Sequence, residues 1–193
     1  MLHRLRYAFN HPNFQQVMSV EVEVDETYIG GAYKNKHSNK KKEGAQGRSV
    51  VDKAPVVAIK GREGYVVAMQ VKDTKQATIV PIIEAYVENG STVYTDEWHA
   101  YNNLHENYNH QRVIHGAKQY VNGLAHTNGV ENFWSHLKRG LDGIYHWVSV
   151  EHLDSYVQEF TLRFNSRKFS TSGRFNMILQ NVTGRLTYKT LIA

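Results

Sequence analysis

The chain has 193 residues, of which 41% are hydrophobic and 21% charged, a size and balance that suit one compact domain and leave little room for two. It has no cysteine, which excludes a disulfide framework and a Cys-ligated zinc site. No stretch reaches the apolar length of a membrane span or a signal core, the pattern of a cytoplasmic protein. A net charge of +5 and a pI near 9.3 lean only weakly toward a polyanionic partner.

The first residues, MLHRLRYAF, place Leu2, Leu5 and Phe9 at helical spacing with no cap before them, so the chain reads as a piece of something larger. Val20, Val22 and Val24 then alternate with Glu21, Glu23 and Asp25, the period of a half-buried strand that Asp25 closes. Residues 33–48 set six Lys or Arg against Glu43 alone, with no apolar period, and read as a mobile basic loop. The apolar runs APVVAIK (54–60) and GYVVAMQVK (64–72) are joined by Gly61-Arg62-Glu63-Gly64, a hairpin signal.

TIVPIIEAYVENG (78–90) has helical spacing and ends near Gly90, where a glycine often terminates a helix. STVYTDE (91–97) reads as a short strand finishing at Asp96, and RVIH (112–115) as another. From Gly129 onward Val130, Phe133, Trp134, Leu137 and Leu141 form one apolar helical stripe. Ser149 opens a further helix with Leu153, Tyr156, Val157, Phe160 and Phe164 on its inner face. FNMILQNV, in the tail from Gly173, is a candidate for one more. A mixed five-stranded sheet flanked by helices is the economical way to bury this α/β pattern, although periodicity alone admits other mixed folds.

The residues with chemical potential are Asp25 and Asp96 at two strand ends and Glu131 on the first turn of the helix near Gly129. Clustered carboxylates repel one another unless a cation neutralises them, and hard oxygen ligands suit Mg²⁺ or Mn²⁺. Taken one at a time, however, an Asp at a strand end is usually a turn former, and a Glu in a first helical turn is usually solvated. Glu26 and Glu97 directly follow the two aspartates and could be mistaken for the ligands. Lys138 lies two helical turns after Glu131 on the same face, where it could meet a phosphate or simply face water. His99, His115 and His126 have no metal-ligand spacing. Trp98, Trp134 and Trp147 read as core or hinge packing rather than as base-stacking platforms.

Three contiguous strings carry more than spacing does. VDETYIGG (24–31), YTDEWHAY (94–101) and HTNGVENFWSHLKRG (126–140), followed by YHWVS (145–149), resemble the catalytic core of insertion-sequence DDE transposases of the ISXO type. The resemblance runs from about Val20 to about Asn165 and implies an RNase H-like catalytic domain over 18–168. Residues 1–17 would then be a remnant of an upstream DNA-binding region and 169–193 a C-terminal tail.

The resemblance also implies metal-dependent DNA strand cleavage and strand transfer. Asp25, Asp96 and Glu131 would hold two Mg²⁺ (or Mn²⁺) ions, and Asn128 or Asn132 would be the reserve for the third ligand. DNA would be the partner, with Lys138 and Arg139 at its phosphates; the basic loop, through Lys34, Lys36, Lys40, Lys41, Lys42 and Arg48, could track the backbone by displacing counterions, or could equally be a solubilising surface insertion. A homo-oligomer on paired DNA ends is the expected working form. The zinc ribbon and helix-turn-helix usual ahead of such a domain have no counterpart here. Two rival readings stand beside this one: a stand-alone RNase H-like nuclease, and a non-catalytic DNA-binding remnant of a decayed element.

Overall fold

The computed structural model describes residues 2–9, 14, 16–30, 53–113, 127–181 and 187–189. The basic loop at 33–48, with Lys34, Lys36, Lys40, Lys41, Lys42 and Arg48, lies outside the described residues, as do His115 and His126.

Five strands form one sheet: β1 (Glu21–Ile29), β2 (Ala54–Gly61), β3 (Val66–Gln70), β4 (Thr92–Thr95) and β5 (Asn109–Arg112). Their order is β3-β2-β1-β4-β5. β1 pairs antiparallel with β2, and β2 with β3, as the hairpin signal requires; β4 lies parallel to β1, and β5 parallel to β4. The helices are α1 (Leu2–Phe9), α2 (Gln76–Tyr86), α3 (Asn128–Gly140), α4 (Val150–Asn165) and α5 (Thr171–Gln180). This is an RNase H-like mixed sheet flanked by helices. Among the described residues no helix is long and apolar enough to cross a membrane.

β1 is not half-buried. Val22 and Val24 face Ile79 and Ile83 of α2, together with Tyr101 and Leu104. On the other face Val56, Ala58, Val66 and Ala68 pack against Val130, Phe133 and Leu137 of α3 and Leu153, Val157 and Phe160 of α4. Each fully buried Val, Leu or Phe of these layers contributes about 1.5–3 kcal/mol of transfer free energy. Glu23, an outward-facing residue on the alternating pattern, is 1% exposed beneath α3. The alternation of Glu with Val reports two chemically different faces, both of them covered.

Several boundaries differ from the sequence reading. Helix α2 ends at Tyr86 rather than near Gly90, because Val87 is already extended and bridges to Met18. Val20 lies outside β1, with φ 71° and 75% exposure, because a bend precedes the strand. β1 continues past Asp25 to Ile29, since its antiparallel partner β2 extends that far, whereas its parallel pairing with β4 stops at Glu23↔Tyr94. Strand β5 spans Asn109–Arg112 and so begins three residues before the expected 112–115, of which 114 and 115 lie outside the described residues; as an edge strand with mostly exposed side chains it carries no apolar signature. The tail helix does form, as α5, but it buries no residue.

A buried ion pair docks α1 on α4. Arg6 Nε donates to Glu159 Oε2 at 2.7 Å, with the two side chains 3% and 6% exposed. Glu159 also accepts from Tyr145 Oη at 2.8 Å and pairs with Arg163. The Arg6 guanidinium lies 3.9 Å from the Tyr156 ring centroid.

Candidate active site

Asp25 lies within β1, two residues beyond the last one paired with β4, and Asp96 follows directly after β4. Parallel neighbours end on the same side of a sheet, so both aspartates emerge at one edge, the usual place for a ligand site in a sheet of this kind. Single carboxylate oxygens of Asp25, Glu26 and Asp96 all lie within 4.8 Å of one another. Asp25, Glu26, Lys53, Asp96, Thr127, Glu131, Trp134, Ser135 and Lys138 line a single open cleft of about 610 Å³.

Each carboxylate is held by a named donor. Trp134 Nε1 donates to Asp25 Oδ2 at 2.9 Å. The backbone N–H of Trp98 donates to Asp96 Oδ1 at 2.9 Å, closing a local turn of the kind Asp favours. Tyr101 Oη donates to Glu26 Oε2 at 2.7 Å, and Thr127 Oγ1 donates to Glu131 Oε1 at 3.2 Å. Strand alternation turns Asp25 toward α3 and Glu26 toward Tyr101 on the opposite face. Burial pushes the Asp25 carboxyl up to about 6; the charges of Asp96 and Glu131 push the same way, against the hydrogen bonds from Trp134 and the Glu26 backbone. Burial, with Glu26 beside it, raises the Tyr101 hydroxyl well above its ordinary value, so Tyr101 keeps the proton it donates.

The structure therefore brings Asp25 and Asp96 together and places Glu131 and Lys138 in the same cleft. Glu131 is exposed, and its carboxylate is not part of the compact cluster, where Glu26 stands instead. Asn132 lines a separate groove on the other side of α3, with His136, Arg163 and Arg167. Neither Asn132 nor Asn128 lines the cleft that holds Asp25 and Asp96. Glu97 and His99 are exposed and do not line the cleft. Arg139 is exposed at the end of α3, its Nε donating back to Ser135 O at 3.2 Å.

Of the tryptophans, Trp98 is half-buried and donates to Thr74 O at 3.1 Å, but Trp147 is 73% exposed and packs no core. Sequence reasoning missed Glu26 as a cluster member, Trp134 as a donor, and Lys53 and Thr127 as lining residues. Trp134 sat in the apolar stripe, and only its position opposite Asp25 reveals the second task of its indole N–H. Lys53 belongs to none of the three strings.

The fit to a divalent cation rests on the donor set itself. Three closely placed carboxylate oxygens, with one carboxyl forced toward its protonated form, make a hard, electron-rich site that a cation of the Mg²⁺ or Mn²⁺ type would neutralise.

Residues 17–165 match the family described as the ISXO2-like transposase domain. The chain is 32% identical over 117 residues to a transposase-like protein of Haemophilus influenzae, covering 60% of this chain and 92% of that one. It is 29% identical over 151 residues to a protein in transposable element ISH50 of Halobacterium salinarum; this match covers 74% of the chain and 51% of that protein, about half its length. Among solved structures, the HTLV-2 integrase catalytic core domain in complex with magnesium, in a trimeric form, aligns at a TM-score of 0.41 and 14% identity, over 84% of this chain and 97% of that one. With the family match running over most of its length, the chain belongs to the ISXO2-like transposase family.

Proposed function

We propose that this domain is the catalytic core of a DNA transposase, cutting and joining phosphodiester bonds with Asp25, Asp96 and Glu131 as the carboxylates that hold two Mg²⁺ or Mn²⁺ ions. The observation that carries the reading is the convergence of Asp25 and Asp96 within one acidic cluster in a cleft that Glu131 and Lys138 also line. When bound, paired divalent ions about 3.5–4 Å apart activate a water or a 3′-hydroxyl and stabilise the leaving oxygen of a phosphodiester.

The chain supplies the rest. Trp134 and the Trp98 amide fix the rotamers of Asp25 and Asp96, so the acceptor oxygens are aimed before any substrate arrives. Lys138 and Lys53 line the same cleft and suit phosphate oxygens of the strand being cut. Lys34, Lys36, Lys40, Lys41, Lys42 and Arg48 extend the DNA contact, with Arg139 beside Lys138. The working form is a homo-oligomer that pairs two DNA ends.

Glu26 is the competing third carboxylate, favoured by its distance. It is 8% exposed and committed to the Tyr101 hydroxyl, which suits support of the site better than contact with DNA. Glu131→Gln and Glu26→Gln separate the two: the true ligand loses Mn²⁺ affinity and strand cleavage together.

The decisive experiment is cleavage and joining of labelled DNA in Mg²⁺, with and without a pre-cut 3′ end, by the native chain and Asp96→Asn. Loss of both reactions in a folded Asp96→Asn protein supports the reading. Cleavage without joining by the native chain would indicate a nuclease. DNA binding that ignores Mg²⁺ and survives Asp96→Asn, with no cleavage by either protein, would indicate a non-catalytic remnant.

A further inference from the structure

α3 begins at Asn128 after Thr127, whose side chain does not cap the helix; the hydroxyl is spent on Glu131 Oε1 instead. The first N–H groups of a helix need acceptors. One comes from across the sheet: Glu23 Oε2, in the middle of β1, accepts from the Val130 backbone N–H at 2.8 Å. Glu23 is 1% exposed, and a buried carboxylate persists only where it is paired and hydrogen-bonded. Arg62 Nε lies 4.0 Å from its Oε1, and Lys60 is its cross-strand partner on β2.

Gly129 is what lets the helix start so close to the sheet. A Cβ there would lie 2.6 Å from Lys60 Nζ and 2.7 Å from Glu23 Oε2.

Glu23 and Asp25 share one face of β1, two residues apart, a rise of about 6.7 Å. Their partners on α3, Val130 and Trp134, are four residues apart, a rise of about 6 Å. Two tethers of nearly matched spacing therefore fix α3 along β1 in both translation and rotation. Glu131 sits between them, one residue after the first. We infer that Glu23 is a positioning residue: it sets the register of α3 on β1 and so places Glu131 relative to Asp25 and Asp96. This rests on the proposed metal site, because the consequence is read as metal affinity.

The test measures Mn²⁺ affinity of the full chain by titration, amide-proton exchange at Val130, and the thermal midpoint as a folding control. Glu23→Ala should remain folded, expose the Val130 N–H to exchange and weaken Mn²⁺ binding by about 10-fold or more, the usual cost of losing a residue that orients a ligand. Glu23→Gln keeps an acceptor oxygen and should recover most of the affinity, which a requirement for the Glu23 charge would not allow. Should Glu23→Ala not fold, Gly129→Ala forces the same displacement from the helix side and should give the same loss. Unchanged Val130 exchange, or lost protection with native Mn²⁺ affinity, overturns the inference while leaving the metal site standing. A native chain that binds no Mn²⁺ overturns the metal site and the inference with it.

Discussion

The Trp134 indole and the Asp25 carboxylate form a single hydrogen bond of 2.9 Å between a core helix and the edge of the acidic cleft. It is at once packing and chemistry, since the ring lies 5.3 Å, centroid to centroid, from Phe133 while its N–H restrains the charge state of Asp25. Removing the N–H and keeping most of the ring tests that pairing. Trp134→Phe should push the Asp25 carboxyl above about 6, because the bond now holds it down. Mn²⁺ affinity should then fall more at pH 6.5 than at pH 8, as read by titration at the two values. An equal loss at both would show that the indole only packs.

Asp25 itself sets a pH dependence. Its carboxyl lies at about 6 in the folded chain against an ordinary 3.8, so the folded state holds that proton more tightly. The stability this confers is complete below pH 3.8 and is lost as the pH rises through about 6. Ionised Asp25 costs on the order of 1–2 kcal/mol once solvent access through the cleft is allowed for. Asp25→Asn in EDTA should therefore melt above the native protein at pH 8. Addition of Mn²⁺ should reverse the order, raising the native midpoint alone.

The pairing of Arg6 with Glu159 leads to a stability test. Arg6→Ala strands a carboxylate that is 5% exposed, with Tyr145 and Arg163 still beside it. A loss of about 3 kcal/mol in denaturant unfolding is expected, the lower end for breaking a buried pair. Replacing both partners by Met should cost less than Arg6→Ala alone.

Gly140 closes α3 against the Phe160 ring, where a Cβ would come within 2.1 Å of two ring carbons. Gly140→Ala must move either the ring or the helix end. It is expected to cost about 1–3 kcal/mol by overpacking, measured by chemical denaturation. The turn of π-helix at Leu141–Tyr145 that follows should be the part that shifts.

His110 gives the opposite pH sign. Burial, with Arg112 and His105 nearby, lowers it to about 4, and its Nε2 lies 2.8 Å from Thr95 Oγ1. The unfolded chain takes up the proton first, so stability falls as the pH drops from about 6.5 toward 4. His110→Gln should flatten that slope, by on the order of 1 kcal/mol for a partly solvated group.

The sequence showed the sheet where periods were strong and failed where burial did not follow hydropathy. β2 and β3 were readable because both are apolar runs around a turn. β5, Asn-His-Gln-Arg, had no apolar signal, since edge pairing uses backbone groups that any residue carries. At the site, Asp25 and Asp96 were visible as strand-end acids within longer strings. Glu23 was not, because a Glu alternating with Val looks solvent-facing until α3 is placed over it. Glu26 reads from the sequence as the neighbour of a ligand; that its carboxylate also reaches Asp96 depends on β1 running on past the end of its pairing with β4, which no sequence pattern reveals.

The parallel contact between β1 and β4 has a kinetic meaning as well. Hairpin closure of β2 and β3 is local and early, but Asp25 and Asp96 meet only when two segments far apart in the sequence have joined, after the loop-closure entropy of everything between them has been overcome. The acidic cleft thus depends on a non-local pairing that the β2–β3 hairpin does not need. A chain stopped short of that step has not yet brought the two aspartates together.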